Sequence, residues 1–333
     1  MRRREFIGLL SGAVATWPIP LHAQQPRKNY RLAIVAQAGS PDLWTMEGSP
    51  FFRIFFEELR RRGYEEGRNL VVDRLSGDGR PERYAQVARD AVDRNPDVIF
   101  AITNTITQRL KEATTLIPIV ALVGDPVGYK LAESLARPGG NITGFSMQPE
   151  IHGKYLDILR ELMKPASKRV GYLATTAGWE SLWVLRLKEI ASGVGISLVG
   201  PPLRGPYTED EYRRVLTEMI ASEPDGIIVE TSWENLSHLE VIVETITRAR
   251  IPVIYPQADY AKRGGLMAYA NDRPAIYHGA ADYVDRILKG ANPAELPFYE
   301  NVKYFLIINL KTAREIGLTI PDYLLARADE VIE

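Results

Sequence analysis

The 333-residue sequence contains no cysteine and only four histidines. The first absence excludes disulfides, thiol nucleophiles and thiolate metal sites, so the fold must stand on its hydrophobic cores. His22, His152, His238 and His278 are scattered without metal-ligand spacing. An excess of one charge is missing too: 41 basic residues stand against 42 acidic ones, a formal net charge of -1. Such a chain has no global field to hold nucleic acid. Beyond the N-terminus no run is long and uncharged enough for a membrane helix. Signatures of chemistry are absent as well. Gly77-Asp78-Gly79 has no third glycine, no Walker-type lysine motif occurs, and Gly144-Phe145-Ser146-Met147-Gln148 lacks the second glycine of a nucleophile elbow. The expectation is a protein that is not an enzyme, with no catalytic residues, no metal and no cofactor.

What is present begins at the N-terminus. Arg2, Arg3 and Arg4 precede a short apolar run broken by Gly8, Gly12 and Pro18, and Leu21-His22-Ala23 supplies a small-residue stop. This pattern reads as an export signal over residues 1–23, cleaved near Ala23. The Arg3-Arg4-Glu5-Phe6-Ile7 spacing looks like a twin-arginine signal. Without a cysteine at the cleavage site there is no thioether lipid anchor, so the expected location is free in a periplasm, not embedded in a membrane.

Hydrophobic residues make up 45% of the chain, enough for ordinary cores. After Pro26, short β-branched runs such as Leu32–Val35 and Val98–Ala101 alternate with helical spacings such as Phe52, Phe55, Phe56 and Leu59. A helix is expected near Thr107–Thr115, and a later one through Leu185, Ile190 and Val194. This rhythm predicts an α/β fold with parallel sheets. It then restarts. Asp210-Glu211-Tyr212 through Glu223-Pro224-Asp225 lies without a gap on Glu82-Arg83-Tyr84 through Asn95-Pro96-Asp97, at one offset (212 − 84 = 128). The recurrence predicts two similar Rossmann-like lobes. One takes residues 27–146 plus 270–290, the other 147–269 plus 291–333. Hinge crossovers join them, with Asn141–Ser146 and Gly265–Ala270 as candidate crossing segments.

In open parallel sheets, ligands bind outside the C-terminal strand ends, so two facing lobes enclose a cleft. The residues past those ends are therefore candidate ligand contacts. In the first lobe they are Gln37, the loop Thr103, Asn104 and Thr105, and Asp125. In the second they are Thr176 and the run Glu230, Thr231, Ser232 and Trp233. Hydroxyls and free N–H groups at a helix start suit a carboxylate, although Thr105 would also serve as a plain N-cap. Asp125 would accept from an ammonium or stabilise the turn before Pro126. Glu230 ends a buried strand, where it must be paired or aimed at the cleft. Trp44, Trp179 and Trp233 all follow strand ends and would form either an aromatic wall or lobe packing.

Several stretches carry a family resemblance. They are the arginine-rich start ending in His22-Ala23-Gln24-Gln25, Gly63-Tyr64-Glu65-Glu66-Gly67-Arg68-Asn69-Leu70, Arg137-Pro138-Gly139-Gly140-Asn141-Ile142-Thr143-Gly144 and Gly264-Gly265-Leu266-Met267-Ala268-Tyr269. The most specific runs from Ile308-Asn309-Leu310-Lys311-Thr312-Ala313 to Ile320-Pro321. Together they resemble exported ABC transporter substrate-binding proteins of the tryptophan-binding type. The resemblance implies a type I periplasmic-binding fold with three crossovers and a small solute, among known ligands aromatic amino acids. It implies an ABC permease in the inner membrane as partner, and a hydroxyl-rich loop like Thr103–Thr105 on the ligand. A ligand-sensing module for a membrane receptor would use the same cleft. A secreted α/β hydrolase or isomerase would share the architecture.

Overall fold

The computed structural model describes residues 29–147, 151–300 and 303–333. The expected export signal, residues 1–23, lies outside the described residues. In chain order the first lobe builds β1 (Tyr30–Ala36), α1 (Pro50–Arg61), β2 (Leu70–Ser76), α2 (Pro81–Asp93), β3 (Val98–Ile102), α3 (Asn104–Ala113), β4 (Ile119–Val123) and β5 (Ile142–Ser146). The second builds α4 (Ile151–Arg160), β6 (Arg169–Leu173), α5 (Thr176–Trp179), α6 (Leu182–Gly193), β7 (Ser197–Val199), α7 (Glu209–Ala221) and β8 (Gly226–Val229). It continues with α8 (Trp233–Ser237), α9 (Leu239–Ala249), β9 (Val253–Tyr255), α10 (Ala258–Lys262) and β10 (Met267–Asn271). Then come α11 (Arg273–Leu288), β11 (Tyr299–Glu300), β12 (Tyr304–Asn309), α12 (Leu310–Glu315), α13 (Asp322–Leu325) and β13 (Glu330–Ile332).

Two sheets result. The first has the order β11-β5-β4-β3-β1-β2 and the second β13-β12-β10-β9-β8-β6-β7. All pairings are parallel except β10 with β12. Helices cover the sheets because the strands are apolar on both faces. Along β1, Leu32, Ile34 and Ala36 join one core with α1 and α11, while Ala33 and Val35 join another with α2 and α3. This alternation is the period-two geometry of a strand. On α6 the buried face is Val184, Leu187 and Ala191. Leu185, Ile190 and Val194, expected to mark it, are exposed. The helix carries apolar residues on both sides, so spacing alone admitted either face.

The internal repeat extends to the backbone. Helices α2 and α7, and the starts of β3 and β8, keep the same offset. Asn95 and Glu223, matched by it, both adopt a left-handed conformation with φ of 50°. Asp97 then accepts from the Arg31 N–H of β1, and Asp225 from the Arg169 N–H of β6. Each carboxylate ties its strand's start to the neighbouring strand.

The chain passes between the sheets three times: after β5, after β10 and after β11. The candidate crossing segments prove to be the strands before the first two passages, β5 and β10. Residues 291–300, assigned from sequence to the second lobe, belong to the first. There β11 pairs with β5, Leu296 and Phe298 enter first-lobe cores, and Thr143 Oγ1 donates to the Leu296 carbonyl at 2.6 Å. Helix α11 is bolted to α1 by a buried ionic cluster. Arg62 donates to Glu58 at 2.9 Å and to Asp285 at 3.0 Å, and Tyr64 and Lys289 also reach Asp285. Burial alone would raise the Asp285 carboxyl, but hydrogen bonds from Lys289, Arg62 and Tyr64 outweigh it and hold it below the ordinary value.

Candidate functional site

The C-terminal strand ends of the two sheets face one another across a cavity of about 210 Å³. Ligand pockets commonly hold roughly 300–1,000 Å³, so this one suits a small solute. Its first-lobe wall is built by the turn from β3 into α3. Thr103 sits at the N-cap position with φ of 99°, a strained value for a β-branched residue. Its side chain does not cap the helix. Instead its hydroxyl donates to Gln37 Oε1 at 3.2 Å. The first N–H groups of α3, which borders the cavity, have no intrahelical acceptor. Helix α3 starts earlier than the spacing implied, so Thr105 lies within its first turn. Asn104 Oδ1 accepts from the Gly124 N–H at 2.9 Å, and its amide reaches Tyr129. This side chain thus also braces the neighbouring loop. Arg273, the first residue of α11, lines the same cavity, its guanidinium 4.9 Å from the Phe51 ring centre.

The second-lobe wall carries two carboxylates. Glu230 follows β8 and receives the Thr175 N–H at 3.3 Å. Gly178 makes room for it: a Cβ there would stand 2.5 Å from Glu230 Cδ and closer still to both oxygens. Burial pushes Glu230 up to about 8, against the lowering effect of the Thr175 N–H, and the charge of Glu234 adds to the rise. Burial raises Glu234 as well, while hydrogen bonds from Ser232 and Gln37 partly offset it. Among the described residues neither carboxylate has a Lys, Arg or His within 4.0 Å. Gln257, just past β9, lines the cavity and is 3% exposed, and among the described residues its buried Oε1 has no hydrogen-bond partner. A buried orphan acceptor of this kind calls for a donor from outside the protein.

Contacts between the lobes enclose the cavity. Trp183 of α6 lies against Gly124, where a Cβ would stand 3.0 Å from Trp183 Cε2 and closer to Cζ2. Tyr129 accepts from the Leu182 N–H, Gln37 reaches Glu234, and Arg186 approaches Asp125 at 3.5 Å. The two lobes are closed on each other.

The structure brings Gln37, Thr103, Asn104, Thr105, Glu230, Thr231 and Ser232 together around the cavity. It moves Asp125 and Thr176 away from it. Asp125 Oδ1 accepts from the Gly128 N–H at 2.7 Å, the turn role, and its other oxygen faces Arg186. Thr176 donates to the Leu203 carbonyl from an exposed position, and Thr175 lines the cavity in its place. Trp233 begins α8, with its side chain outside the description. Trp44 is buried in the first-lobe core, and Trp179 packs edge-on against Tyr172. Trp183, Glu234, Gln257 and Arg273 were not singled out from the sequence. Gln257 and Arg273 do follow β9 and β10, so the strand-end rule reaches them. Trp183 sits inside a helix and carries no such signal.

No helix among the described residues is long and apolar enough to cross a membrane. Residues 53–332 match the family model described as ABC transporter substrate binding protein. A tyrosine-binding protein of Clostridioides difficile is 25% identical over 79% of this chain and 75% of its own length. Among solved structures, a conserved domain protein of Vibrio cholerae is similar at 30% identity and a TM-score of 0.79, over 91% of this chain and all of that one. The ABC domain of Streptococcus pneumonia in complex with L-Trp shares the fold at 24% identity and a TM-score of 0.76, covering 92% of this chain and all of that one. Fold, cleft and family model agree: this chain belongs to the ABC transporter substrate-binding proteins, a family of solute binders and not of enzymes.

Proposed function

We propose that the protein is the periplasmic capture component of an ABC importer and that its cleft takes a single amino acid with an apolar or aromatic side chain. The observation that carries this is the separation of charge across the cavity. The first-lobe wall offers Arg273, the N–H groups at the start of α3 and the hydroxyl of Thr105. These suit a carboxylate. The second-lobe wall offers Glu230 and Glu234, which suit an ammonium. A zwitterion bridges both walls and so holds the lobes together, which is how differential affinity for the closed form arises. Met147, Trp183, Ile276 and Tyr277 add apolar lining that suits the side chain. The tyrosine-binding relative and the L-Trp complex support the same ligand class. Export through the residue 1–23 signal and docking of the closed form on an inner-membrane permease complete this reading.

Native mass spectrometry of the purified mature protein, then calorimetric titration with the twenty amino acids, tests it. A retained or tightly titrating amino acid, recovered unchanged, is the expected result. No binding across the panel refutes the ligand class. N-terminal sequencing of exported protein should start at Gln24.

A further inference from the structure

Three amide side chains are buried in the second lobe among the described residues: Asn235, Gln257 and Asn309. Two of them are paired at both ends within the protein. Asn235 Oδ1 accepts from the Tyr212 hydroxyl at 3.0 Å, and its Nδ2 donates to the Leu173 and Glu230 carbonyls. Asn309 Oδ1 accepts from the Thr312 N–H at 3.1 Å, and its Nδ2 donates to the Ala261 carbonyl at 3.0 Å. Gln257 differs. It holds the N-cap position of α10, yet its side chain does not cap that helix. Its main-chain carbonyl takes the Tyr260 N–H, and Oε1 is left without a partner. Tyr172, Tyr255 and Tyr260 also bury unpaired hydroxyls, but those three stand outside the cavity lining, which Gln257 joins. An open cleft exposes its walls to water. Closure leaves Gln257 only 3% exposed, so the occupant of the cavity must replace the hydrogen bond that water gave.

An amino acid has three ends to offer such an acceptor. Its carboxylate only accepts, so it cannot serve Oε1. Its ammonium is met by the carboxylates of the same wall. The side chain remains. Resting on the amino-acid reading above, we propose that Gln257 determines specificity for the ligand's side chain, selecting an aromatic ring that carries an O–H or N–H donor over a ring of hydrocarbon alone. The solute class is then a phenolic or indolic amino acid. A ligand without that donor closes the lobes over an unpaired Oε1, and this penalty falls on the closed complex alone. Sites built around a hydrogen bond to the substrate reject the analogue lacking it far more strongly than an apolar pocket rejects one missing methylene. The apolar lining accepts either ring, so the discrimination rests on the amide.

Calorimetry on the unaltered mature protein compares two pairs of probes that share ammonium, carboxylate and ring shape. L-Tyrosine stands beside L-phenylalanine, and L-tryptophan beside benzothienyl-L-alanine, in which sulfur replaces the indole N–H. In the pair that binds more tightly, the donor-bearing member should bind about tenfold to a hundredfold better. Gln257→Leu should bring that member down to about the affinity of its counterpart, while the counterpart holds within a few fold. Equal binding within both pairs, or a preference that survives Gln257→Leu undiminished, overturns the proposal and leaves the amino-acid reading standing. So does a variant that weakens both members of a pair equally, the outcome if Oε1 meets the shared ammonium. Failure of all four amino acids to bind removes the reading and the proposal together. The comparison on the unaltered protein decides even if the variant does not fold.

Discussion

Gly124→Ala offers a test of lobe closure that leaves either lobe intact. Gly124 follows β4 and meets Trp183 of the other lobe. An added Cβ would stand 3.0 Å from Cε2 and 3.2 Å from Nε1 of that indole, and nearer to Cζ2. Ordinary carbon contacts lie near 3.5–4.0 Å, so the indole must retreat by about 1 Å or more. That displacement reaches the neighbouring contacts, the Tyr129–Leu182 hydrogen bond and the Arg186–Asp125 pair. The hydrogen bond contributes about 1 kcal/mol. Arg186 is 53% exposed, so its pair at 3.5 Å contributes only a few tenths. With the lost indole packing, closure weakens by about 2 kcal/mol, a roughly thirtyfold rise in Kd. Calorimetry would give the affinity, and small-angle scattering with and without ligand the degree of closure. The double variant with Trp183→Ala should show strong non-additivity, since it removes the clash. Unchanged affinity and full closure in Gly124→Ala would refute the reasoning. So would a large drop in ligand-free melting temperature, because the atoms nearest the added methyl belong to the other lobe.

Three further outcomes follow from the site and the cores. Asn104→Ala with Thr105→Ala should weaken ligand binding about tenfold or more with little loss of fold, read by calorimetry and circular dichroism; Thr105→Ala alone isolates the contact, because Asn104 also braces Gly124. Gln257→Leu removes a buried acceptor that has no partner, so the ligand-free melting temperature should hold or rise while affinity falls. Asp285→Ala takes from Tyr64 and Lys289 their carboxylate and from Arg62 one of three beneath α11, and should cost about 2 kcal/mol in denaturant titration. Asp285 titrates lower in the folded protein than in the unfolded chain, so the unfolded state binds more protons as pH falls. Its contribution is full above the ordinary carboxylate range and lost on acidification; the acid limb of the stability curve should flatten in the variant.

Much of the architecture was legible because it rests on local, repeated physics. Apolar runs at period two and helical faces at period 3.6 depend only on neighbours in the chain, so strands such as β1 and β3 could be placed within a residue or two. The 128-residue offset was readable for the same reason, and Tyr84 and Tyr212 indeed occupy matching buried places. The strand-end rule likewise located Gln37, the Thr103–Thr105 loop and Glu230. It slipped by one residue at Thr176, where the termination of β6 makes Thr175 the N-cap of α5 and turns it to the cavity.

Other features were decided only by the tertiary structure. The choice of buried face on α6 depended on what the helix packed against, as both sides are apolar. The lobe of residues 291–300 depended on β11 finding the free edge of β5, a pairing across more than 150 positions. Trp183 joins the site because closure brings α6 onto Gly124, and Arg273 because α11 returns to the first lobe after the second passage between sheets. Local sequence determines which residues form strands and helices and which loops end them. A cavity that sets an arginine of one lobe opposite the buried carboxylates of the other exists only once distant segments have packed, because burial and opposing charge are properties of the assembled surfaces.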